Sequence, residues 1–278
     1  MRLKILSLFA VIQLLSFGIW TNLSNAEPSI PQANEPTQIH PATASASLPS
    51  LPTKAKNPEY SLRFSNRNMG EEKRFLNSIK KNQIETALKK LPSEHVQSVK
   101  NIILDYDPLA HRGLGGSELI ILRAVDMGTE EMLAVLIHEL GHNVDSGYLT
   151  PKEEKVKSAF EDWGVPLYET DSSLDFYSIS WTSDEKRKQT AINTDFVSGY
   201  AMSDCFEDFA ESYAYYVLHN KDFKRLAASS EALYAKYHFM KYEVFGGAEF
   251  DTADGIVKEK QRPWDVTVLH YDFSEFLS

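Results

Sequence analysis

Apolar residues recur through 71–91 at Phe75, Ile79, Ile84, Leu88 and Leu91, and this spacing predicts a helix. Pro92 stops it, and a second helix is expected over 93–103. Residues 118–125, Glu-Leu-Ile-Ile-Leu-Arg-Ala-Val, read as a strand. Gly113, Gly115 and Gly116 precede it and read as a turn; they lack the following Lys-Ser/Thr and the helix of a phosphate cradle. Thr129 is expected to cap the next helix, with Glu130 and Glu131 at the positive end of its dipole. Met132, Leu133, Leu136, Ile137 and Leu140 supply its buried surface. Another helix is expected over roughly 151–162, with Pro151 in its first turn. Residues 164–198 read as irregular and polar, with aromatic islands at Phe176-Tyr177 and Trp181. A last strong helix is expected over 204–218, followed by short helical and loop segments in which no chemistry is legible.

The N-terminus changes the picture of where the chain works. Arg2 and Lys4 precede an apolar run from Ile5 to Trp20, and Ser24-Asn25-Ala26 offers a small-x-small cleavage site. Residues 1–26 therefore read as a secretory signal peptide. The alternative, an uncleaved anchor, needs about 20 predominantly apolar residues, and this run is short for that. Residues 27–57, rich in Pro, Ser, Ala and Thr, read as a disordered linker or pro-segment, and 58–278 as the folded domain. The expected location is secreted, extracellular or periplasmic, with no stable membrane insertion after signal cleavage.

The formal net charge is −10, and loss of Arg2 and Lys4 with the signal makes it more negative. That argues against nucleic acid as a partner. The single cysteine, Cys205, excludes an internal disulfide and is expected to be a small buried hydrophobe.

The chemistry concentrates in His138-Glu139-Leu140-Gly141-His142. Histidines four apart on a helix share a face, so both imidazoles can reach one zinc ion. Glu139 can act as the base that takes a proton from a zinc-activated water. Two core histidines and a glutamate without a ligand would be costly buried polar groups. Gly141 is unfavourable in mid-helix and is expected to admit a close-packed backbone. A third metal ligand is expected on the 204–218 helix. There Glu207 and Glu211 share a face bordered by Ala210 and Ala214, and Phe206, Phe209, Tyr213 and Val217 supply burial. Asp145 is a rival for that role, or a hydrogen-bond partner for a ligating histidine.

The run His138–Asp145, with Tyr200 and Glu207-Asp208-Phe209-Ala210-Glu211 beyond it, resembles the gluzincin metallopeptidases. The likeness is to the branch of the anthrax lethal factor catalytic domain and the Pro-Pro endopeptidases, and it covers residues 118–218. It implies His138, His142 and Glu207 as zinc ligands, Glu139 and Tyr200 as catalytic groups, and Asp145 and Glu211 as supporting groups behind the ligands. With the strand-then-helix reading it implies an α+β, zincin-like fold: a small twisted sheet on the motif helix and a mostly helical C-terminal part. The gap between His142 and Glu207 is longer than in that branch, so 164–198 is expected to hold an insertion near the cleft. The implied activity is a secreted zinc endopeptidase acting on a protein or peptide substrate; the strand Leu119–Val125 is expected to run along the cleft as an edge that aligns it. Two alternatives are a zinc hydrolase of cell-wall peptides and a non-catalytic zinc-containing binding module.

Overall fold

The computed structural model describes residues 62–150, 156–252 and 262–277. The expected signal peptide and linker lie outside them. Among the described residues, no helix is long and apolar enough to cross a membrane.

The first half builds a sheet. β1 (Arg63–Arg67) leads through a short 3-10 turn into α1 (Arg74–Leu88) and α2 (Ser93–Gln97), followed by β2 (Asn101–Asp105), β3 (Gly113–Gly116) and β4 (Leu119–Arg123). The strand order is β1-β2-β4-β3, with β1, β2 and β4 parallel and β3 antiparallel to β4. Three expectations are corrected here. The helix over 93–103 ends at Gln97, because Ile102 and Ile103 are β-branched and Asn101–Asp105 pairs with the strands on both sides of it. The Gly-rich stretch is a strand and not a turn. The 118–125 strand is central: β3 lies outside it, and Ile120, Ile121 and Leu122 are all buried, as suits a strand covered on both faces. Within α1 the apolar stripe is buried only at its C-terminal end, and Phe75 is 78% exposed.

α3 (Thr129–Asn143) packs on β3 and β4 and runs on into a wide π-type turn, Val144–Tyr148. Its N-cap is Gly128 and not Thr129; the Thr129 hydroxyl instead accepts from Gln83 Nε2 at 3.2 Å.

Beyond α3 the expected helix over 151–162 is replaced, where described, by β5 (Lys157–Asp162). It forms a hairpin with β6 (Val165–Tyr168). Trp163 and Gly164 between them sit at φ 51° and 76°, the left-handed pair that a two-residue hairpin turn requires. The supposedly irregular 164–198 also holds α4 (Ser173–Ser180), which buries Phe176 and Tyr177; Trp181, just past its end, is buried too. α5 (Cys205–Leu218) is capped by Asp204, whose side chain accepts from Glu207 N–H at 2.8 Å. α6 (Asn220–Ala227), α7 (Glu231–Phe239) and α8 (Phe273–Leu277) follow. Cys205 is buried and unpaired. Helices and two small sheets thus mix in the way expected of an α+β protein.

The packing that positions the site is the α3–α5 pair. A Cβ on Gly141 would lie 3.0 Å from Ala210 Cα and 3.2 Å from Tyr213 Cβ. A glycine facing an alanine brings the two backbones close. His95 pins α2 to the same helix. Its Nε2 faces the Val244 carbonyl at 2.9 Å and must donate, so its Nδ1 accepts from the Tyr213 hydroxyl at 2.9 Å.

Candidate metal centre

His138 and His142 project from α3 one turn apart, with ring centroids 5.0 Å apart. Glu207 projects from the first turn of α5. Its Oε2 lies 3.2 Å from His138 Nε2 and 3.5 Å from His142 Nε2. One ligand atom from each residue falls within 4.8 Å of the others, close enough to hold a metal ion.

The hydrogen bonds around His138 decide which nitrogen faces that ion. His138 Nδ1 lies 3.0 Å from Glu211 Oε1. A carboxylate only accepts, so Nδ1 carries the proton and Nε2 presents a lone pair towards Glu207. Glu211 is itself held: its Oε2 accepts from the Ser198 hydroxyl and from Val266 N–H at 2.9 Å. Glu207 Oε1 accepts from the Tyr200 hydroxyl at 2.9 Å, and the Tyr200 ring stacks on His138 with centroids 6.0 Å apart.

Glu207 Oε2 is sealed from solvent and accepts no hydrogen bond, although two imidazole nitrogens converge on it. The His138 Nε2 lone pair facing a carboxylate oxygen across 3.2 Å needs a positive charge between them, and a cation in this position would supply it. Without one, protons take that part. Burial opposes charge on His138 and His142, yet the adjacent carboxylates raise both above the ordinary histidine range. Burial alone would raise Glu207, but the two histidines hold it well below the usual carboxylate range. Two imidazoles and a carboxylate with an orphaned oxygen fit a divalent metal.

Glu139 is buried, and burial pushes its carboxyl above the ordinary range. Its surroundings explain two of the three glycines of β3, Gly113 and Gly115. A Cβ on Gly113 would lie 2.2 Å from Glu139 Oε1, and one on Gly115 would lie 2.4 Å from the Glu139 carbonyl oxygen. The strand passes so close to α3 that side chains are excluded there. The Tyr200 hydroxyl is held protonated by burial and by Glu207, so it remains a donor.

No protein-family model matches this chain, and no curated protein or solved structure matches it either. What the site can do therefore rests on its own geometry.

Asp145 does not join the cluster. Its Oδ2 accepts from the Tyr177 hydroxyl on α4, and burial pushes its carboxyl up to about 7. It anchors the end of the histidine helix to the segment beyond β6. Other parts of the site had no legible signal. Ser198 and Val266 N–H position Glu211, but no spacing ties them to it. Arg112 donates to Glu131 at 2.9 Å, to Asp265 at 2.8 Å and to the Thr267 hydroxyl at 2.7 Å, joining the approach to β3, α3 and the C-terminal segment. That segment, from which no chemistry was expected, reaches the site's supporting groups directly.

Proposed function

We propose that this chain is a secreted zinc-dependent endopeptidase of zincin-like fold. The observation that carries the reading is the buried, unsatisfied Glu207 Oε2 on which His138 Nε2 and His142 Nε2 converge. Two imidazoles and one carboxylate form a donor set suited to zinc and leave room in its coordination for a small molecule. Zinc held by His138, His142 and Glu207 would supply Lewis-acid chemistry, acidifying a water molecule to near neutral pH.

The chain's own residues do the rest. Glu139 follows His138 on α3 and takes the proton of the attacking water as its oxygen bonds to the peptide carbonyl carbon. The same carboxyl then delivers that proton to the amine as the carbon–nitrogen bond breaks. The Tyr200 hydroxyl, freed from Glu207, donates to the carbonyl oxygen as negative charge develops on it. Glu211 keeps the His138 ring in its ligating tautomer and orientation. β3, at the edge of the sheet and against Glu139, offers its backbone to an extended peptide. The sequence of residues 1–26 supports export, and the negative net charge supports a peptide over a nucleic acid as substrate.

The test is metal analysis and peptide cleavage by the wild type and by Glu139→Gln. The variant is expected to retain zinc and lose roughly 10²–10⁴-fold in turnover, the usual contribution of a general base. Undiminished turnover would remove Glu139 from the mechanism, and a wild type that holds zinc but cleaves no peptide would favour a binding module.

A further inference from the structure

The segment 262–268 is fastened to the site at several points. Arg262 donates to the carbonyls of Phe196 and Thr194 at 3.0 and 3.2 Å. Gly199 N–H donates to the Pro263 carbonyl at 2.8 Å, and Tyr200 N–H to the Trp264 carbonyl at 2.6 Å. Asp265 takes Arg112, and Val266 N–H reaches Glu211. In the middle of this strap Trp264 is 67% exposed.

A single exposed apolar side chain is ordinary. This one differs in how it is held and what it adjoins. A Cβ on Gly199 would lie 2.6 Å from the indole Cε3, so the ring edge lies directly on the chain at that glycine. The indole centroid is 6.5 Å from the Tyr200 ring, which in turn stacks on His138. Three rings therefore lead from a candidate metal ligand to the surface, and the backbone under the outermost is held by the Tyr200 N–H bond to the Trp264 carbonyl. A rigid aromatic wall next to the reacting groups offers contact area with little ordering cost.

We propose that Trp264 is a specificity-determining residue, against which an apolar substrate side chain flanking the scissile bond packs. The proposal rests on the peptidase reading of the metal centre. An indole can also receive a cation. Here the carboxylate beside it in the chain, Asp265, already accepts from Arg112 on one oxygen and from Thr267 on the other. The strap thus presents an apolar face without a spare negative charge.

The test uses the full chain carrying Glu139→Gln, loaded with zinc, so that binding is read apart from hydrolysis. Fluorescently labelled heptapeptide pools, each with Leu or Phe, Gly, or Lys fixed at one position, are titrated and followed by anisotropy. At one position the Leu or Phe pools are expected to bind about 10-fold more tightly than the Gly pool, the scale of a good apolar contact. Adding Trp264→Ala should abolish that difference, and Trp264→Phe should keep most of it. Zinc content equal to the parent's shows that the strap has not been disrupted. An unchanged preference in Trp264→Ala, a preference for the Lys pools, or no binding by any pool would each overturn the proposal. Cleavage by the chain with Glu139 intact is scored separately. Selective, Trp264-dependent binding without cleavage would sink the peptidase reading and leave Trp264 as a peptide-binding residue.

Discussion

Two carboxylates stand side by side on α5, and the fold answers them differently. Asp208 is fully buried and fully met: Lys236 Nζ lies 2.7 Å from Oδ2 and 3.0 Å from Oδ1, and Trp181 Nε1 donates to Oδ2 at 2.9 Å. Lys236 in turn donates to the Asp195 carbonyl and sits 4.0 Å over the Phe196 ring. Glu207, facing the other way, has Tyr200 on one oxygen and, on the other, no hydrogen bond but two imidazole nitrogens at 3.2 and 3.5 Å. The closed cluster ties α5, α7 and the 181–196 stretch together. The open cluster gathers its polar atoms around one carboxylate oxygen without closing the hydrogen bonds. A chain able to bury a complete ion pair one residue away has left this one incomplete, and that contrast is the strongest argument that the gap belongs to a cation.

The largest effect expected from breaking the contrast is on metal binding. Glu207→Ala should weaken zinc affinity by more than the roughly 10–100-fold that loss of an outer supporting group costs, as measured by competition with a chromogenic chelator. Affinity within a few-fold of wild type would remove Glu207 from the ligand set. On the closed side, Lys236→Met strands Asp208 and should cost about 3–5 kcal/mol in denaturant unfolding. Adding Asp208→Leu should recover most of that loss, and if it does not, the pair does more than balance charge.

A pH experiment separates both clusters from the rest of the core. His219, at the end of α5, is buried with neither ring nitrogen hydrogen-bonded among the described residues; burial, with His270 adding, pushes its pKa down to about 4. A histidine depressed in the folded state stabilises above its unfolded value of about 6.5, and that stability is lost as pH falls towards 4. The loss should reach roughly 2–3 kcal/mol by pH 4. His219→Phe, which keeps a ring against Tyr215 and Tyr271, should flatten the acid limb of a pH–stability curve. An acid limb as steep as the wild type's would assign it to other groups. The smallest effect is expected at the α3–α5 seam. Gly141→Ala gains about 1 kcal/mol of helix propensity. It also forces a Cβ to 3.0 Å from backbone at Ala210, at a cost of about 1–3 kcal/mol. The net should be a loss of about 1 kcal/mol, with weaker zinc binding as the helices part; a gain in stability would show that the seam is slack.

Legibility in the sequence followed the range of the interaction. α3 and α5 announce themselves because their apolar periodicity and the four-residue spacing of their polar pairs are local, and so do His138, His142 and the Glu207–Glu211 pair. Residues 101–103 read as the end of a helix because only their pairing with distant strands identifies Asn101–Asp105 as a strand. Gly113–Gly116 reads as a turn because Gly113 and Gly115 answer to α3, which comes later in the chain. Ser198, Arg112 and Val266 carry no local pattern, since each is defined by a partner far away in the sequence. For the same reason 164–198 looked irregular, although Tyr177, Trp181 and Ser198 within it each secure a buried carboxylate at Asp145, Asp208 and Glu211.

The bareness of β3 has a consequence for selection over time. A strand reading Gly-Leu-Gly-Gly gives a neighbouring backbone hydrogen bonds and almost no side chains to match, and glycine-rich strands specify register weakly. In the peptidase reading proposed above, preference would then rest with surrounding loops and straps, which tolerate substitution far better than a strand wedged against the motif helix. On that reading, mutations outside the sheet would retarget the molecule while the metal centre stays untouched.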